Sequence, residues 1–199
     1  CIRDSGYNVL AADARAHGDS EGTKIGMGWP ERFDVIEWIK LIISWDSNAQ
    51  IILHGVSMGA ATVLMASGEE LPENVKAIIA DCGYTSEWDE FKCEANALHI
   101  PWFPALNAAS VMSKLRDGYD FKQASALEKV KQSRIPTLFI HGSDDELVPY
   151  SMLDKLYSAA ACEKECLTVN GAGHALSSSV EPELYWNTVE NFIEKYLEK

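Results

Sequence analysis

Positive charge is scarce in this chain. Of 199 residues, 17 are Lys or Arg against 30 Asp or Glu, a net charge of −13 with His neutral. The few basic residues form no cluster. A surface of that sign repels phosphate backbones and anionic lipid headgroups, which argues against nucleic acid and charged bilayers as partners. Long apolar runs are scarce too. The most apolar helical stretch, VIEWIKLIISW, is interrupted by Glu37 and Lys40, so nothing approaches the roughly 20 residues of a membrane-crossing helix. No signal peptide is visible. Cysteine is present but not in metal-binding spacing. The count is five, no CxxC pair occurs, and Cys162 and Cys166 stand four apart with no histidine beside them. A zinc site is therefore not expected, nor any other cofactor. Free thiols are, and they favour a reducing, cytoplasmic compartment.

What is present suits one globular domain, with 47% apolar residues in a length that buries a substantial core. Apolar strands alternate with helices. IRDSGYNVLAAD reads as a helix end, a glycine stop and a strand over residues 7–13, followed by a Gly-rich polar loop. Residues 29–45 read as a helix. Pro30 suits its first turn, Glu31 and Asp34 suit its positive end, and Phe33, Ile36, Ile39 and Ile43 recur at helical spacing. QIILHG, VKAIIADCG, TLFIHG and ECLTVNG read as four more strands. A small-residue helix follows the first of these, and an amphipathic helix closes the chain with Tyr185, Val189, Phe192, Ile193 and Tyr196 near one face. Continuous apolar strands separated by helices predict an α/β fold, a mostly parallel sheet covered on both faces. Residues 85–135 interrupt the alternation with several helical patterns and the apolar piece LHIPWFPALNAASVM. That insertion is expected to form a small helical cap over one end of the sheet.

Ligands of an open parallel sheet bind beyond the carboxyl ends of its strands. Three reactive side chains lie just after such ends. Ser57 sits in Gly55-Val56-Ser57-Met58-Gly59, a G-x-S-x-G between a strand and a helix. This turn lifts a serine hydroxyl clear of the backbone, and its flanking glycines are expected to avoid clashes that side chains would cause. The N–H of Met58 is then placed to donate to an oxyanion at the helix N-terminus. A serine hydroxyl needs a base. His174, in the small-residue loop GAGHALS, is the candidate. His17, His54, His99 and His141 read as structural. The base needs an orienting carboxylate. HGSDDELVP offers Asp145, which stands at D-x-x-V-P, with Asp144 as the fallback; one of these acids is also expected to cap the next helix.

The order Ser, Asp, His together with DARAHGDSEG, HGVSMGAA, HGSDDELVP and GAGHALS resembles the α/β-hydrolase superfamily across essentially the whole chain, in particular its bacterial lysophospholipase-like and S33 aminopeptidase-like serine hydrolases. The resemblance implies a hydrolase that cleaves small acyl esters through an acyl-serine intermediate without metal or organic cofactor. A peptidase or amidase of the same fold, or an inactive hydrolase-like scaffold, are the alternatives. Ala16 departs from the glycine such relatives usually carry in that loop. The superfamily also implies three strands ahead of residues 7–13, one lying between that strand and the Ser57 strand, with a following loop that supplies a second oxyanion donor. The chain, which begins with Cys1, is therefore expected to be an N-terminally truncated, C-terminal portion of a longer protein, lacking an interior strand and unstable alone.

Overall fold

A computed structural model describes residues 6–197. The helix end read at the start of the chain lies outside the described residues. Four strands form one parallel sheet: β1 (Ile51–Val56), β2 (Val75–Asp81), β3 (Thr137–Gly142) and β4 (Lys164–Val169), in spatial order β1-β2-β3-β4. The register pairs Val56 with Asp81 and Asp81 with Ile140, so the strands end together on the side that carries Ser57.

Alternate strand residues point to opposite faces, and each face finds its own helices. Ile51, Leu53, Ile78, Ala80 and Phe139 pack with Ile39 of α1 (Glu31–Trp45), Leu64 and Met65 of α2 (Met58–Ala66) and Leu156 of a helix over Ser151–Ala159. Ala77, Ile79, Leu138, Ile140 and Val169 pack on the other face against Tyr185, Val189, Phe192 and Ile193 of a helix over Pro182–Glu194. The amphipathic face expected of that last helix is the buried one. Phe192 is fully buried, and truncating such a side chain to Ala costs about 3–5 kcal/mol. In α1, Ile36 and Ile39 are buried as the spacing predicts, but Phe33 is half-exposed and lies under the guanidinium of Arg32 instead of in the core.

Residues 85–135, between β2 and β3, carry three helices: α3 (Glu87–Ala97), α4 (Ala105–Asp117) and α5 (Ala126–Val130). Two serines start two of them. Ser86 Oγ accepts the N–H of Asp89 at the head of α3, and Ser125 Oγ accepts that of Glu128 at the head of α5. These caps face each other across a two-residue bridge. In chain order the helices after β3 are α6 (Ser151–Ala159), α7 (Ser177–Val180) and α8 (Pro182–Glu194).

The strand expected over residues 7–13 does not form. The segment is ordered coil, mostly exposed, and hydrogen-bonds to no described strand. An apolar run becomes a strand only where a neighbour completes its ladder. Here β1 is the sheet edge, and a groove of about 2030 Å³ separates it from residues 6–15. Val9, Leu10, Trp38, Trp45, Leu53 and Trp186 are among its walls. No helix among the described residues is long and apolar enough to cross a membrane.

Candidate active site

Ser57 occupies the one-residue turn between β1 and α2, with φ 54° and ψ −117°. An L-residue with positive φ is strained, and such strain persists only where its surroundings hold it. Two backbone bonds do so here: the Ser57 N–H donates to the Asp81 carbonyl at 2.8 Å, and its own carbonyl accepts from Ala61 N–H at 3.0 Å. Met58 is the first residue of α2, so its N–H belongs to the helical turn that has no intrahelical acceptor.

The structure brings the three sequence-predicted side chains into one line. Ser57 Oγ lies 2.8 Å from His174 Nε2, and His174 Nδ1 lies 2.9 Å from Asp145 Oδ2. The exposure grades inward: Asp145 has a fully buried side chain, while His174 and Ser57 are partly open. Asp145 divides its oxygens between two tasks. Oδ1 accepts the N–H groups of Leu147 and Val148 at 3.0 and 2.9 Å, and Oδ2 faces His174. The carboxylate that orders this turn and the histidine's partner are thus one residue; the helix that follows, over Ser151–Ala159, starts without a side-chain cap, so the capping expected of these acids is not found. Asp144 is exposed, and its carboxylate accepts from Ser143 Oγ instead.

The charges follow from these contacts. Burial opposes ionisation of Asp145, but hydrogen bonds from His141, His174 and the Val148 N–H outweigh it and hold the carboxyl well below its usual range. Asp145, then the Cys82 thiol, raise His174 above its ordinary value against the opposing effect of burial. The remaining histidines have other occupations. His141 lies 2.9 Å from the Val148 carbonyl and 3.3 Å from Asp145 Oδ2, bracing the acid's loop. His54 bonds Tyr185, and His17 bonds the Arg15 carbonyl. His99 sits between α3 and α4 at a positive φ of 56°.

The sequence profile of the prolyl oligopeptidase family matches residues 24–199. The chain belongs to this family. That membership lies within the α/β-hydrolase superfamily expected from the motifs, and solved structures share the fold. An esterase from Pyrococcus furiosus superposes with a TM-score of 0.76 over 98% of this chain and 73% of that one, at 23% identity. An acylaminoacyl peptidase from Pyrococcus horikoshii gives 0.65 over 85% of this chain and 28% of that one, at 17% identity. Among sequence relatives, the uncharacterized Bacillus subtilis protein YqkD is 31% identical over 96% of this chain and 63% of its own length. The lysophosphatidylserine lipase ABHD12 of Macaca fascicularis is 31% identical over 78% of this chain and 38% of its own length. The chain therefore spans less than two thirds of either relative.

In this prolyl oligopeptidase family member, several further residues surround the predicted three. Cys82 follows β2 with φ 48° and is fully buried; with Asp145 and His174 it forms a cluster whose ligand atoms lie within 4.8 Å of one another. Glu87 and Glu90, one turn apart on α3, are buried with one carboxylate oxygen each lacking a hydrogen-bond partner among the described residues. Desolvation pushes Glu87 up to about 8, helped by Glu31 and Asp117. It pushes Glu90 up to about 7, with Glu94 and Asp145 reinforcing it and His174 opposing. The signal for these was in the sequence only as three acids at the head of a helix, a pattern that usually marks a solvated N-terminus.

Proposed function

We propose that this chain carries the reactive residues of a serine hydrolase that cleaves carboxylic esters through an acyl-enzyme. The observation that supports this most is the unbroken sequence of hydrogen bonds Ser57 Oγ to His174 Nε2 and His174 Nδ1 to Asp145 Oδ2, at 2.8 and 2.9 Å. Ser57 attacks the acyl carbon while His174 takes its proton. Asp145 orients the ring and stabilises the imidazolium. The alkoxide of the tetrahedral intermediate is held by the Met58 N–H at the start of α2, and His174 then returns the proton to the departing alcohol. Water repeats the sequence on the acyl-serine and releases the acid.

Residues 85–135 act as a cap over this chemistry. The apolar side chains of Leu98, Ile100, Phe103 and Leu115 are exposed there and suit a hydrophobic acyl chain. The lipase and esterase among the relatives fit the ester reading. Four free cysteines among the described residues fit a cytoplasmic setting. The second reading, amide or peptide cleavage by the same three residues, draws support from the family profile itself and from the acylaminoacyl peptidase.

A tagged fluorophosphonate and two substrate series test these readings. The protein is expected to be labelled and Ser57→Ala not. Equal labelling of both removes Ser57 as nucleophile. Turnover of p-nitrophenyl esters of increasing chain length with none of aminoacyl anilides supports the esterase; the reverse supports the peptidase.

A further inference from the structure

We infer that Asp81 is a positioning residue that sets the separation of Ser57 and His174, gripping the nucleophile's turn through its backbone and the histidine's loop through its side chain. The inference rests on the proposed roles of those two residues. Asp81 is the last residue of β2, a strand flanked by partners on both sides. Its carbonyl accepts the N–H of Ser57 at 2.8 Å. Its Oδ1 accepts the hydroxyl of Ser177 at 3.2 Å, and both residues are essentially buried, at 1% and 0% exposure.

Ser177 is three residues beyond His174, at the start of α7. The loop between them is compact: Leu176 N–H returns to the Gly173 carbonyl at 3.2 Å, and Ala175 takes a positive φ of 58°. The near end of the loop is pinned as well, because the Ala172 carbonyl accepts the N–H of Asp144 at 3.0 Å. His174 therefore hangs between two fixed points. One belongs to the loop of its acid partner, the other to the strand that holds the nucleophile's backbone.

The carboxylate has a further partner. The hydroxyl of Tyr185 of α8, 1% exposed, also favours the charged form of this carboxylate, and its oxygen lies 3.0 Å from His54 Nε2. Burial raises the Asp81 carboxyl above its ordinary value, and the hydroxyls of Ser177 and Tyr185 oppose this only in part. A neutral side chain of the same size offers the Ser177 hydroxyl fewer acceptor lone pairs. Asp81 touches neither reacting atom, so its effect is on geometry: a misplacement of about 1 Å in a reacting group can cost on the order of 100-fold in rate.

Ser177→Ala tests this in the full chain. It removes the grip on the loop and leaves Asp81 and its backbone in place. The expected result is a rate of phosphonylation by fluorophosphonate (Ser57 Oγ–P bond formed, fluoride leaving) lowered about tenfold or more per folded molecule, with KM for a short ester changed less than about twofold. Asp81→Asn, which keeps an acceptor oxygen, is expected to lose less than Asp81→Ala. A second readout needs no substrate. The His174 Nδ1 proton held by Asp145 should give a low-field proton NMR resonance that broadens in Ser177→Ala as the loop loosens. A folded Ser177→Ala that is phosphonylated at the wild-type rate with an unchanged resonance overturns the inference. Should the wild type fail to react at all, the hydrolase reading fails, and the resonance alone still decides whether Asp81 orders the His174 loop.

Discussion

A methyl group on Gly55 would stand 2.5 Å from the Ala60 nitrogen and closer still to the Gly59 carbonyl, whereas one on Gly59 would meet nothing within 4 Å among the described residues. The two glycines of the G-x-S-x-G turn are therefore not equivalent, and the expectation that both exclude side chains holds only for the first. Gly55 lets strand β1 run close beneath the first turn of α2. Gly55→Ala is expected to push that turn away from the strand and abolish fluorophosphonate labelling or folding altogether. Gly59→Ala should fold, and label within a few-fold of wild type, because Ala also favours the helix by about 1 kcal/mol over Gly. Parallel labelling and thermal melts of the two variants check this.

The His174–Asp145 pair predicts a pH profile. In the proposed mechanism His174 must be neutral to accept the Ser57 proton, and its pKa is raised above the ordinary 6.5 by Asp145 and then Cys82. Ester hydrolysis is expected to rise with pH through a limb above the ordinary imidazole range. Asp145→Asn should move that limb down while lowering kcat by about 10⁴. The same shifts act on stability with opposite signs. The His174 contribution is full below 6.5 and is lost as pH rises through the folded value. The Asp145 contribution is lost only as pH falls through its depressed folded value. Rate profiles and melts across pH, wild type against Asp145→Asn, measure both.

Glu87 and Glu90 predict the reverse trend for carboxylates. Both are raised from 4.5, to about 8 and about 7, so the folded chain binds their protons more tightly than the unfolded one. Stability attributable to them falls as pH rises from 4.5 through 7 and 8, then levels. At pH 9, Glu87→Gln is expected to raise Tm by a few degrees, and at pH 5 to leave it nearly unchanged. A variant that is no more stable than wild type at pH 9 contradicts the buried, unpartnered state of this carboxylate.

The edge position of β1 predicts which amides exchange. Ile51 N–H donates to the Asn74 carbonyl at 2.7 Å and Ser57 N–H to Asp81, so the odd-numbered amides of the strand face β2. With a period of two, the N–H groups of Ile52, His54 and Val56 point into the groove, where no described acceptor meets them. Their exchange with deuterium is expected to be faster than that of Leu53 and Gly55 by on the order of 100-fold. Uniform protection along β1 would show that the groove side is covered.

The strands β1–β4 and the helices α1, α2 and α8 were legible because each is a local pattern, an apolar run or a stripe of period 3.6. Residues 7–13 have the same local pattern and form no strand, because a ladder is a property of two segments and the neighbour is not written in the run itself. The site divides the same way. Ser57, Asp145 and His174 were readable from motif, order and placement after strands. Asp81, Cys82, Glu87 and Glu90 were not: an acid closing a strand or opening a helix looks like any solvated terminus until the packing around it is known. Phe33 fits the helical stripe of α1, yet the stripe turns it toward Arg32 and solvent.

The backbone of Ser57 has a consequence for how this protein can be measured. A serine at φ 54° and ψ −117° is disfavoured in an unfolded chain, and the hydrogen bonds to Asp81 and Ala61 that hold it exist only once β2 and α2 are assembled. If Ser57 is the nucleophile proposed above, its reactivity and the native topology appear and vanish together. The amplitude of fluorophosphonate labelling at a given denaturant concentration becomes a count of folded molecules, a stability assay read at a single oxygen atom.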